Sequence, residues 1–362
     1  MSDADLLIEQ RGELALLTLN RPRALNALSL AMVETIHQRL GAWWTDPKVG
    51  AVVIRGAGER AFCAGGDIRW IYDLIRREGG RAAIPFYAAE YPMNARIHHF
   101  PKPYLAFLDG VTMGGGVGVG IHGSHRIATE RTLFAMPETG IGLFPDVGAT
   151  FLLSRLPGAI GTWLGLTGAR LNAADCIHLG IATHFVRADR LDDLLEALAK
   201  ATYGGGAGQA VDEILGRFTS DPGPSPLATE SAQIDRLFGA DSLGEVVARL
   251  AADPSDWAAE QRAILSTRSP TSLAVTFRQL REGRARSFDD AMRIEYRLVS
   301  RFMTGHDFVE GVRAVIIDKD QAPRWRPATI GELDPAEIDR YFAPLEAGEL
   351  SLAPEPAGGE TA

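Results

Sequence analysis

Two cysteines in 362 residues are too few for a disulfide framework, and Cys63 and Cys176 lack the spacing of a metal-ligand set. That scarcity suits a reducing compartment. Basic residues are also in deficit: 37 Lys and Arg face 46 Asp and Glu, for a formal net charge of −9 and a pI near 5.5. Non-specific binding of nucleic acid or an anionic membrane needs clustered cations that dominate the balance, so both are excluded as expected partners. Any grip on a phosphate-rich ligand has to be local. No apolar run approaches the ~18 residues of a membrane span. The start, MSDADLLIEQ, lacks the apolar core of a secretory signal and the Arg/Ser-rich pattern of a transit peptide, so a cytoplasmic location is expected. What is left, 46% hydrophobic and 23% charged residues, is ordinary for a soluble globular protein with one large core or two moderate ones.

Glycine, by contrast, is concentrated. Six of the ten residues from Gly114 to Gly123 are glycine, and such a segment brings bare backbone N–H groups against a ligand where a Cβ would block approach. Downstream, Glu138 follows Pro137 and Asp146 follows Pro145, in a stretch punctuated by Gly140 and Gly142. A second glycine loop, Arg60-Ala-Phe-Cys-Ala-Gly-Gly-Asp-Ile68, lies downstream of the apolar strand Ala51–Ile54, as Asp109-Gly110 follows the strand Tyr104–Leu108. Each loop can supply one N–H to a single oxygen, which is how a two-donor oxyanion hole is assembled. Amide donors for a developing negative charge, with loop carboxylates beside them, point to acyl chemistry. Taken alone, the glycines also suit tight helix packing, and the acids helix capping.

NRPRALNALS (Asn20 to Ser29), AFCAGGDIR (Ala61 to Arg69), DGVTMGGGVG (Asp109 to Gly118) and FAMPETGIGLFPDVG (Phe134 to Gly148) resemble the enoyl-coenzyme A hydratase/isomerase (crotonase) superfamily. The likeness continues through SPTSLAVTFRQL, IEYRLVSRFM and DFVEGVRAVIIDKDQAPRW, so it covers roughly residues 5 to 345 and is nearest to the thioester-hydrolase branch. It implies an α/β fold, a spiral of ββα turns, followed by a helical C-terminal subdomain.

The periodicity fits. Leu6 to Gln10 and Glu13 to Leu19 read as a hairpin, and Ser29 caps a helix with Leu30, Val33, Ile36, Leu40 and Trp43 on one face. Breaker-rich stretches, Tyr203 to Gln209 and Asp221 to Pro226, place the end of the spiral core (5–200) near Lys200. Helical spacing then dominates the 201–345 subdomain, in Ser242 to Ala252, Asp256 to Leu265, Pro270 to Arg281, Phe288 to Thr304 and Asp307 to Ile317. Residues 346–362 are mostly Pro, Gly, Glu and Ala without period and are expected to form a mobile tail.

The resemblance also implies roles. Glu138 is the catalytic carboxylate facing the thioester, and Asp146 assists acid/base chemistry and contacts a hydroxyacyl group. The rival role of Asp146 is an N-cap on a helix over Val147 to Leu156. The backbone N–H groups of Ala64 and Gly115 form the oxyanion hole; Glu90, Gly115, Glu138 and Asp146 bind substrate. Coenzyme A is held by Arg23, Leu25, Ala64, Gly65, Gly66 and Asp67, with Arg60 and Lys319 as weaker candidates. Cys63 reads as a small buried residue, and His98, His99, His122 and His125 as core or surface histidines, so no metal and no cofactor are expected. Trimers are common in the superfamily, so a homo-oligomer is a candidate state.

One departure separates activities. Hydratases of the superfamily carry a second glutamate where this chain has Gly118, and adding water across a conjugated double bond needs a second group, whereas thioester hydrolysis asks for an oxyanion hole and one carboxylate. The expected activity is therefore acyl-coenzyme A hydrolysis, in valine breakdown as the resemblance implies. A hydratase or isomerase with altered groups, or a non-catalytic or RNA-binding scaffold on the same fold, are the alternatives.

Overall fold

The computed structural model describes residues 4–346 and 348–352. The chain opens with an antiparallel hairpin, β1 (Leu6–Arg11) and β2 (Leu14–Leu19), then α1 (Leu30–Trp43), capped by Ser29 Oγ on Met32 N as the sequence predicts. Three similar units follow: β3 (Ala51–Gly56), β4 (Ala61–Cys63) and α2 (Ile68–Glu78); then α3 (Ile84–His98), β5 (Tyr104–Leu108), β6 (Val111–Met113) and α4 (Gly115–Gly120); then β7 (His125–Ala128), β8 (Leu133–Ala135) and the 3-10 turn Glu138–Ile141. With β9 (His184–Phe185), the odd-numbered strands and β2 form a six-stranded sheet in the order β1-β2-β3-β5-β7-β9, parallel from β2 onward. The three-residue strands β4, β6 and β8 form a second parallel sheet.

Each turn of the spiral thus donates one strand to the large sheet and a short one to the small sheet. Strand register assigns the faces. Leu14, Leu16, Ala51, Val53, Leu105, Phe107 and Ile127 pack under the sheet, while Ala15, Leu17, Val52, Ile54, Ala106 and Leu108 join the main core. Strands buried on both faces read as continuous apolar runs, as LALLTL and YLAFL do.

The lower layer includes Val211, Ile214 and Leu215 of the helix Ala207–Leu215, so packing on the spiral sheet runs past the breaker-rich stretch at 203–209. The tail expectation is narrowed as well. Glu349 accepts from Arg297 Nε at 2.9 and 3.1 Å, and Leu350 is buried. Ala347 and residues 353–362, on which the rest of that expectation falls, lie outside the described residues.

Candidate active site

The three short strands are parallel neighbours, so the segments that leave their C-terminal ends emerge side by side: Ala64-Gly65-Gly66 from β4, Gly114-Gly115 from β6 and Pro137-Glu138 from β8. All seven residues line one cavity of ≈ 330 Å³, together with Tyr87, Glu90, Asp146 and Arg268. The glycine loops follow these three-residue strands, not the long strands named in the sequence reading; periodicity cannot register so short a strand.

The loop Arg21–Leu28 fixes the first segment. Asn26, buried at φ 57°, donates from Nδ2 to the carbonyls of Ala57 and Ala61. Along the same edge Ala64 N–H donates to Leu25 O at 3.0 Å, Leu28 N–H to Gly65 O at 2.8 Å and Asp67 N–H to Leu28 O at 2.9 Å. These bonds correct one assignment: the Ala64 amide is already committed and cannot serve as an oxyanion donor. The Gly66 amide has no acceptor among the described residues, and neither has Gly115 N–H, which opens α4 and so lacks an intrahelical partner. The two are adjacent, since a Cβ built on Gly115 would lie 3.1 Å from Gly66 N. Gly65, which precedes Gly66, takes φ +117°, a conformation that favours glycine.

Glu138 begins the turn after β8, and its Oε2 is buried without a partner. Gly142 bends the chain back at φ +70°, where a Cβ would sit 2.2 Å from the Asp307 carbonyl oxygen, and so brings Asp146 to the same cavity. Asp146 is no helix cap. The helix that follows is Ala149–Leu153 with Gly148 at its N-cap, while Asp146 Oδ2 accepts from Tyr91 Oη at 2.8 Å. Glu90 reaches in from α3, and its unpartnered Oε1 would be 2.6 Å from a Cβ on Gly115.

Sequence reasoning missed a fourth carboxyl. Glu295, fully buried on the helix Phe288–Phe302, accepts from Gly148 N at 2.7 Å and Thr150 N at 2.9 Å. Gln279 Nε2 donates to Pro145 O at 2.7 Å, and His122 Nε2 donates to Val147 O at 2.6 Å. These clamps hold Val147 at φ 54°, a left-handed conformation that a β-branched residue adopts only under constraint. A signal was present: Phe288, Met292, Glu295, Val299 and Phe302 share one buried face, so Glu295 interrupts an apolar stripe.

Burial raises the proton affinity of all four carboxyls, and the charge of Asp146 adds to that of the other three. Burial pushes Asp146 up to about 7, against a hydrogen bond from Tyr91 that lowers it. Burial, then the charge of Asp146, pushes Glu138 and Glu90 well above the usual carboxylate range. Glu295 is pushed by burial to about 8.

Other assignments fall outside the cavity. Arg23, Arg60 and Lys319 are exposed and do not line it, nor does Leu25. Asp67 caps α2 through Trp70 N and accepts from Arg21 at 2.8 Å. Cys63 is fully buried and does not line the cavity, and burial pushes its thiol up to about 12, which disfavours the thiolate a nucleophile needs. His98 stacks on Phe288 at 4.0 Å, His125 meets Asp212 at 3.1 Å, and no metal-binding group of His, Cys, Asp or Glu occurs among the described residues. No helix among them is long and apolar enough to cross a membrane.

Gly118 faces inward on α4, where a Cβ would lie 2.6 Å from Asn94 Nδ2 and 2.9 Å from Val147 Cβ. The place from which a second glutamate would project is therefore filled.

The profile of the enoyl-CoA hydratase/isomerase family matches residues 14–342. Among curated proteins, the chain is 45% identical over 352 residues to the mitochondrial 3-hydroxyisobutyryl-CoA hydrolase of Danio rerio, covering 96% of this chain and 92% of that one. It is 42% identical over 351 residues to the protein of the same name from Homo sapiens, covering 96% and 91%. Among solved structures, a carnitinyl-CoA dehydratase from Mycobacterium thermoresistibile superposes with a TM-score of 0.89 at 42% identity, over 97% of this chain and 99% of that one. An enoyl-CoA hydratase from Rhodobacter sphaeroides gives 0.88 at 42% identity, over 96% and 100%. The hydrolases are named as mitochondrial proteins, which overturns the cytoplasmic location expected from the sequence. That expectation rested on features missing from ten residues, and such an absence excludes no compartment.

Proposed function

The chain belongs to the enoyl-CoA hydratase/isomerase family, and from that membership we infer that it is a thioester hydrolase cleaving 3-hydroxyisobutyryl-CoA to 3-hydroxyisobutyrate and free coenzyme A. The observation that carries the choice among family activities is the closed face of α4 at Gly118. With Asn94 and Val147 packed there, no carboxylate can project from α4 to share an alkene with Glu138. What the cavity does offer is suited to acyl transfer. The thioester oxygen is proposed to lie on the amides of Gly66 and Gly115, donors aimed where negative charge develops. Glu138, as the carboxylate, attacks the carbonyl carbon or takes a proton from the water that does. The C–S bond then breaks, and the thiolate leaves and gains a proton; where Glu138 itself attacked, water then hydrolyses the acyl-glutamyl anhydride, releasing the acid and restoring the carboxylate. Asp146, held by Tyr91, supplies acid/base support. Hydrolysis moves no electrons between substrate and enzyme, so this reading calls for no redox cofactor. Coenzyme A enters as part of the substrate, along the Gly65-Gly66 edge. A role in valine breakdown and self-association of the chain belong to the same proposal.

Thiol appearance tests it. Free thiol is expected from 3-hydroxyisobutyryl-CoA, whereas crotonyl-CoA is expected to keep its conjugated absorbance. Hydration of crotonyl-CoA at a rate comparable to thiol release would favour the hydratase reading, in line with the names of the Mycobacterium thermoresistibile dehydratase and the Rhodobacter sphaeroides hydratase. The carboxyl cluster adds a pH dependence. Removing the negative charge of Asp146 makes the Glu138 anion easier to form, so Asp146→Asn is expected to move the acid limb of the kcat/KM profile to lower pH. An acid limb that stays in place would uncouple the two carboxyls.

A further inference from the structure

Two tyrosines of α3 face the carboxyl cluster, and only one is used. Tyr91 Oη donates to Asp146, but Tyr87 Oη, one turn earlier, is buried without a partner. The ring is held: Tyr87 is 2% exposed, edge-on to Phe86 at 5.4 Å and to Tyr91 at 5.9 Å, and it lines the cavity. Three residues along, on the same face of α3, Glu90 presents its own unpartnered oxygen, Oε1, beside Gly115. A buried phenol and a buried carboxyl oxygen, each without a partner, carry a desolvation cost that an incoming group can relieve. The charges of both Asp146 and Glu90 act on Tyr87, which puts its hydroxyl at the acidic end of the cavity.

An alcohol fits that pair, because it accepts one hydrogen bond and donates another. Since Glu90 Oε1 lies against Gly115, whose amide is assigned to the thioester oxygen, the alcohol sits within a few bonds of the reacting carbonyl. We propose that Tyr87 is a specificity-determining residue that donates its phenolic hydrogen to the hydroxyl of a β-hydroxyacyl thioester, while Glu90 Oε1 accepts the hydrogen of that hydroxyl. This assignment rests on the thioester-hydrolase reading and explains how the site tells a hydroxylated acyl group from a plain one. A site built around a substrate hydroxyl discriminates against the analogue lacking it far more strongly than an apolar pocket discriminates by one methyl.

The test crosses an enzyme hydroxyl with a substrate hydroxyl. Thiol release is measured for wild type and Tyr87→Phe, each with 3-hydroxyisobutyryl-CoA and with isobutyryl-CoA, which differs by that oxygen alone. Wild type is expected to prefer the hydroxylated thioester, and Tyr87→Phe, which keeps the ring and its packing, is expected to cut the ratio of the two kcat/KM values by about 10- to 100-fold. An unchanged ratio in Tyr87→Phe overturns the assignment even if both proteins hydrolyse well. The affinities of the two thioesters are also compared by calorimetry in Glu138→Gln, with and without Tyr87→Phe. If wild type released no thiol from either compound, the hydrolase reading would fall, and the calorimetric ratio would still decide the role of Tyr87.

Discussion

Glu138→Gln is expected to lower thiol release from 3-hydroxyisobutyryl-CoA by ~10³ or more while leaving thioester binding in place. Glutamine keeps the size and the hydrogen-bonding capacity of the side chain but removes nucleophilicity and basicity. The site adds a second expectation. Glu138 is buried among Glu90, Asp146 and Glu295, and its Oε2 has no partner, so its anion is held at a cost to the fold. A neutral amide removes that repulsion, and the melting temperature should hold or rise. Activity and stability should therefore separate, which loss of structure cannot imitate. Kinetic assay beside thermal denaturation checks both, and retention of about a tenth of wild-type turnover would move the chemistry to another group.

The second large effect is expected at Gly115. Alanine there places its Cβ 3.1 Å from Gly66 N and 2.6 Å from Glu90 Oε1, so the methyl occupies the gap between the two amides assigned to the thioester oxygen. The nearest atom is the far end of a flexible side chain, and a first-turn helix position favours alanine over glycine, so the fold should survive. Disabling one oxyanion donor typically costs ~10²–10³ in rate, and Gly115→Ala is expected to lose kcat/KM on that scale with an unchanged circular dichroism spectrum. A variant within about threefold of wild type would show that the thioester oxygen binds elsewhere.

The parts of this site legible in the sequence share one property: their constraint is local. Gly65, Gly115 and Gly142 are glycines because of backbone conformation or close approach, and Glu138 and Asp146 stand out because proline precedes each in a loop. Other parts are set across the fold. The Ala64 and Gly66 amides look alike in the chain, and only the edge made by Leu25 and Leu28 shows that one is committed and the other free. Strands β4, β6 and β8 are three residues each, below the length at which alternation can be seen, although their parallel ends assemble the cavity. Tyr87 and Tyr91 look like ordinary aromatic residues of a buried helix. Glu295 broke the apolar pattern of its helix, but what it binds could not be read from a position 147 residues away from Gly148.

That separation also bears on how the protein comes into being. A chain made from its N-terminus exposes the three strand ends, the glycine loops and Glu138 while Gln279 and Glu295 are still unmade. Nothing yet grips the Pro145 carbonyl or the Gly148 and Thr150 amides, and of the groups that hold Val147 in its strained conformation only His122 has been made. The segment that carries Asp146 takes its working shape only once the helix Phe288–Phe302 has emerged and docked. A nascent or prematurely terminated chain would thus own the oxyanion donors without a set acid beside them, and the late helices act as a certificate of completion.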